Sequence, residues 1–195
     1  MISKSLKAAL AGAFLLLVAA LSFTPVSNND VWLHLRTGGL ILERGAVPRA
    51  EEYTYTRAGE AIVDHEWLSQ VVFASVHAIA GLDGLTLLKG LLLAATLAVV
   101  SIASFESSGS PAPAAAAAAL ATLGTALLIA SHLFIRPHLF TLLLAAVFTW
   151  ALPRLAASPT DRERWRWVAA LAGLQVLWVN LHGGFVVGIL LAGTH

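Results

Sequence analysis

The chain alternates long apolar runs with polar connections. Five runs stand out, at residues 8–26, 82–105, 114–135, 139–155 and 167–192. Each is close to the roughly 20 residues a helix needs to cross a bilayer. None shows the strict alternation of barrel strands, and a backbone in lipid must satisfy its own hydrogen bonds, so helices are predicted throughout. The connections are residues 27–81, 106–113, 136–138 and 156–166. This pattern predicts an all-α membrane protein, a single polytopic domain over 1–195, with about five transmembrane helices and a large first loop at 27–81.

That loop is the least hydrophobic part of the chain. Residues 31–44 have helical spacing, with Trp32, Leu35, Leu40 and Ile41 apolar, and GAVP at 45–48 ends the segment as a turn. YTYT at 53–56 is short and β-prone, and RAGE at 57–60 is a turn signal. A second helix is predicted from Glu66 to Ala80. Trp67, Leu68, Val71, Val72, Val76 and Ile79 give it an apolar surface, and Glu66, Gln70 and His77 form a polar stripe. Such helices lie along a membrane surface.

Composition agrees. The 195 residues are 58% hydrophobic and 12% charged, whereas a soluble domain carries about 25% charge. A net charge of +1 predicts no nucleic-acid partner. The absence of cysteine excludes disulfides, thiolate metal sites and cysteine nucleophiles. The basic start and the first apolar run also fit a signal peptide, but no small-x-small site closes the run, and it is read as an uncleaved span. With five spans, Lys4 and Lys7 share one side with Arg154, Arg162, Arg164 and Arg166. The positive-inside rule makes that side cytoplasmic, the N-terminus included, and the long loop extracytoplasmic in a cell membrane. Trp165 and Trp167 fit an interfacial belt. Arg36, Arg44, Arg49 and Arg57 in the long loop are offset by nearby acids.

Four polar groups converge by this topology. Asp30 lies just beyond the first span, and His65 and Glu66 begin the second surface helix. Arg136 and His138 form the tight turn between the third and fourth spans. Asn180 and His182 lie toward the outer end of the last run. Ionisable residues at this depth are costly and point to function. A carboxylate at Asp30 suits a general base. Glu66 or His65 would position an acceptor or share a divalent cation, Mg or Mn, with Asp30. Arg136 suits a phosphate. Asn180 and His182 suit phosphate or sugar hydroxyls, and Gly183 and Gly184 would let a substrate approach the backbone. Lys89, about two turns into the second span, either snorkels to the interface or pairs with a lipid phosphate. Structural roles compete throughout: Asp30 as a helix cap, Glu66 facing a helix dipole, Arg136 among lipid headgroups, His182 in packing. His34, His77 and His132 are read as structural. His34, His65 and Glu66 match no standard zinc spacing.

The stretches DVWLHLRTG at 30–38, GAVP at 45–48, YTYT at 53–56, DHEWL at 64–68, RPHLF at 136–140 and NLHGGF at 180–185 resemble an uncharacterised group of bacterial polytopic membrane proteins. That group is similar to the GT-C class of glycosyltransferases, which use polyprenyl-phosphate sugars. The resemblance implies a catalytic acid in the first extracytoplasmic loop, the place of Asp30, and surface helices in that loop. It implies a polyprenyl-phosphate sugar donor, an extracytoplasmic acceptor and membrane lipids as partners. Two departures stand out. Members show paired acids where this chain reads Asn28, Asn29 and Asp30, and they have more spans. The sequence stops at His195 beside an apolar run, so a fragment of a longer protein is expected. Two other functions fit the same pattern: a carrier or lipid-handling protein without covalent chemistry, and a structural assembly subunit.

Overall fold

A computed structural model describes residues 4–22, 28–107, 111–130 and 133–195. His132 and the end of the first apolar run lie outside them. The architecture is all helical: α1 (Lys4–Ser22), α2 (Asp30–Arg44), α3 (Trp67–Ser107), α4 (Pro111–Ile129), α5 (His138–Ala156), α6 (Asp161–Leu181) and α7 (Val186–Gly193). Among the described residues there is no strand, only one bridge between Ala50 and Ala61. The β-prone YTYT stretch instead enters a short 3₁₀ turn at Tyr55–Arg57.

α3 organises the molecule, with α1, α2, α4, α5 and α6 all packed on it. It joins the predicted surface helix and the second apolar run into one 41-residue element broken at Gly81. Gly81 sits at φ 61° and ψ −152°, a conformation that glycine alone adopts readily. Helices α3 and α5 are long and apolar enough to cross a membrane. Large apolar side chains stay exposed on several helices, including Leu87 and Leu91 on α3, Leu127 and Leu128 on α4, and Ile189 and Leu190 on α7. An apolar surface of that extent suits lipid or a protein partner rather than water.

α2 buries Val31, His34, Gly38 and Ile41, a helical i, i+3, i+7, i+10 stripe. Trp32, expected on the apolar face, is exposed instead, because the buried stripe is turned toward α3. Contact is backbone-close at Gly38, where a Cβ would collide with the Gln70 carbonyl and the Ala74 side chain. Gly45 ends α2 in the left-handed region at φ 64°, and its N–H donates to the Ile41 carbonyl, a glycine C-terminal cap.

The last apolar run is not one helix. It breaks at Gly183–Phe185, and α7 folds back along α6. Gln175 of α6 donates to the Phe185 carbonyl at 2.9 Å, and Gly188 of α7 lies against Gln175 and Trp178. Trp178, fully buried, meets Phe148 of α5 edge-on at 5.4 Å between ring centroids. Away from this turn, Glu106 of α3 pairs with Arg154 of α5 and accepts from Trp150 at 3.1 Å.

Candidate functional site

Four chain segments meet in one polar pocket of about 450 Å³, lined by Asp30, His34, Glu66, Phe134, Arg136, Pro137, His138 and His182. Each segment contributes through a helix end. Asp30 opens α2, where its carboxylate faces the positive end of the helix dipole. It does not cap the helix by its own side chain. Its backbone N–H donates to Oδ1 of Asn28 at 3.0 Å, so Asn28 provides that turn. The same oxygen accepts from Arg136 at 3.0 Å, and Arg136 also pairs with the Asp30 carboxylate. Asn28 and Asp30 therefore hold the guanidinium from two directions.

Glu66 stands just ahead of α3. Its backbone N–H donates to the Asp64 carboxylate at 2.8 Å, and its carbonyl accepts from Gln70 and Ser69. Asp64 thus orders the turn and leaves the Glu66 side chain free to face the pocket. Burial, and then the Asp64 charge, push the Glu66 carboxyl above its ordinary value. Oε1 of Glu66 lies 3.5 Å from Nε2 of His182.

His182 terminates α6. Its Nδ1 lies 2.8 Å from the Thr141 hydroxyl of α5 and accepts from the Gly184 N–H at 3.0 Å. Thr141 in turn accepts from the Trp178 indole at 2.8 Å. Gly184 is required here. A Cβ would stand 2.7 Å from Thr141 Oγ1 and 2.8 Å from His182 Nδ1. The close approach that Gly184 permits is thus to the protein's own side chains, and Gly183 has nothing within 4 Å of a Cβ position.

His34, read from sequence as structural, also lines the pocket. It is 7% exposed, packs against Phe73, and its Nδ1 has no hydrogen-bond partner. Burial holds its pKa below the ordinary value, against the opposing pull of Asp30. Arg136 Nε and Asn28 Nδ2 are likewise buried without partners. Two of these atoms belong to residues that line the pocket and the third to Asn28 beside it, so hydrogen-bonding capacity is left unfilled there. No local signal in the sequence singles out His34, whose spacing in α2 is that of any core-facing residue.

The remaining candidates lie elsewhere. Asn180 accepts from the Trp67 indole at 2.8 Å and donates to the Val176 carbonyl, so it ties α6 to the start of α3 beside Glu66. His65 is exposed and does not line the pocket. Lys89 is 2% exposed, inside α3 and away from the pocket lining. Among the described residues no three His, Asp or Glu side chains are grouped as metal ligands, and Asp30 is engaged by Arg136.

The chain has no match among protein-family models, curated proteins or solved structures.

Proposed function

We propose that this is a membrane glycosyltransferase-like protein that moves a sugar from a polyprenyl-phosphate donor to an extracytoplasmic acceptor. The observation that carries the reading is the meeting of Asp30, Glu66, Arg136, His138 and His182 around one pocket. It supplies two carboxylates, a guanidinium and imidazoles within the reach of one ligand. The apolar exposed surface and the two long apolar helices support a membrane setting. On this reading the first four apolar runs and α6 span the cell membrane, the N-terminus is cytoplasmic, and the pocket opens on the outer side.

In the proposed reaction the acceptor hydroxyl attacks the anomeric carbon of the donor sugar. The carbon–oxygen bond to the polyprenyl phosphate breaks, and that phosphate leaves with the electron pair. One carboxylate takes the hydroxyl proton. The resemblance points to Asp30 for this role, but Asp30 already holds Arg136. Glu66, whose carboxyl burial pushes above its ordinary value and which is not engaged by Arg136, is the stronger base of the two on this reading. Arg136 stabilises the charge gathering on the leaving phosphate through its N–H donors. His138 contacts the phosphate side, and Lys89 and Asn180 act outside the pocket as packing and positioning groups.

The test is a transfer assay on the purified chain in lipid, with radiolabelled polyprenyl-phosphate sugars. Transfer that is lost in Glu66→Gln supports the reading. Labelled donor that binds without turnover would favour a carrier instead.

A further inference from the structure

The pocket owes one of its groups to residues that do not touch it. Trp178 Nε1 can only donate, so Thr141 Oγ1 accepts from it at 2.8 Å. The Thr141 hydrogen is then available for His182 Nδ1, 2.8 Å away. The Gly184 backbone N–H is aimed at that same nitrogen at 3.0 Å. A proton on Nδ1 would face the Gly184 N–H directly, and a backbone N–H cannot reverse its role. Nδ1 must therefore carry a lone pair, and in the neutral ring the proton sits on Nε2. Nε2 is the atom that faces Glu66 at 3.5 Å.

We infer that Trp178, Thr141 and Gly184 are positioning residues that lock His182 in its Nε2–H tautomer, making it a fixed hydrogen-bond donor to the Glu66 carboxylate or to a ligand oxygen beside it. The arrangement is built rather than incidental. Trp178 is fully buried, and position 184 admits no side chain. The ring is held on one edge by the Thr141 hydroxyl and the Gly184 N–H, with Trp178 fixing Thr141 behind them, and it presents the other edge to the pocket. A donor aimed at Glu66 orients that carboxylate while it receives a proton. Its consequence for turnover rests on the function proposed above, but the tautomer itself does not.

The experiment is nitrogen NMR on protein labelled with ¹⁵N-histidine in lipid nanodiscs, with the His182 signals assigned by their loss in His182→Gln. Wild type is expected to show a bare Nδ1 and a protonated Nε2. Thr141→Val should move the Nδ1 resonance toward that of an unbonded imine nitrogen, and Thr141→Ser should return it. A protonated Nδ1 in wild type overturns the inference, and that measurement needs no variant to fold. An Nδ1 signal unmoved by Thr141→Val, in protein that still elutes as wild type, overturns the part assigned to Thr141. In the transfer assay Thr141→Val should lower kcat roughly tenfold or more with KM little changed, and Thr141→Ser should restore it. Absence of transfer by wild type would sink the glycosyltransferase reading and leave the NMR result to decide the tautomer.

Discussion

Arg136, in the turn ahead of α5, pairs with Asp30 at the first turn of α2, and the same guanidinium donates to a second anchor, Asn28 Oδ1, at 3.0 Å. The two charged side chains are 43% and 51% exposed, so water screens the pair and it contributes at most about 1 kcal/mol to stability. Arg136→Lys keeps the charge but loses the planar fork that reaches both partners. Thermal unfolding in detergent should move little, by less than about 1 kcal/mol. Transfer should fall far more. Equal losses in both measurements would make Arg136 a structural residue only.

Glu66→Gln removes the proposed base and keeps the shape. General base catalysis contributes roughly 10²- to 10⁴-fold, and kcat should drop by that factor. In wild type, activity should rise with pH through the raised Glu66 pKa, because only the ionised carboxylate accepts a proton. Glu66→Asp shortens the reach and should retain part of the rate. A pH profile of wild type that Glu66→Gln reproduces would remove Glu66 from the chemistry.

Two adjacent glycines should behave oppositely. Gly184→Ala forces a methyl against Thr141 and His182, an overpacking that costs about 1–3 kcal/mol. Gly183→Ala meets nothing within 4 Å and should unfold within roughly 0.5 kcal/mol of wild type. Denaturation midpoints of the two variants test the contrast.

His34 gives stability a pH dependence of known sign. Its pKa is lowered in the fold from an ordinary 6.5, so the unfolded chain binds the proton more readily. Folding stability is then fully present above the unfolded pKa and declines as pH falls below it. His34→Phe keeps an aromatic ring against Phe73 and should flatten that decline. Melting temperatures across pH 5 to 8 in both proteins provide the comparison.

The proposed topology is open to a direct check, since the chain has no native cysteine. Ala58 and Ala157 are both exposed, the first in the long loop and the second just past α5. Ala58→Cys should react with an impermeant maleimide on intact cells, and Ala157→Cys only after permeabilisation. The reverse pattern would place the pocket inside the cell.

Much of the helical layout is visible in the apolar runs themselves. A run of that length has few ways to satisfy its backbone except as a helix, and Gly45 and Gly81 mark where α2 ends and α3 bends. The last run misled for the same reason. Its hydropathy is continuous from 167 to 192, and hydropathy does not register the turn at Gly183–Phe185 that sends α7 back along α6. The sequence reads His34 as structural and Asn28 only as a departure from paired acids, because the place of an amide and a helix-spaced imidazole at the pocket depends on neighbours distant in sequence.

By itself the sequence determined a helical chain with its ionisable residues gathered near helix ends, because hydrophobic period and the cost of buried charge are local properties of composition. Only the tertiary structure decided who meets whom. Arg136 with Asn28 and Asp30, and Trp178 through Thr141 to His182, are contacts between different helices, set by how α2, α3, α5 and α6 pack. Their geometry depends on rotation and offset of whole helices, which no run of residues encodes alone.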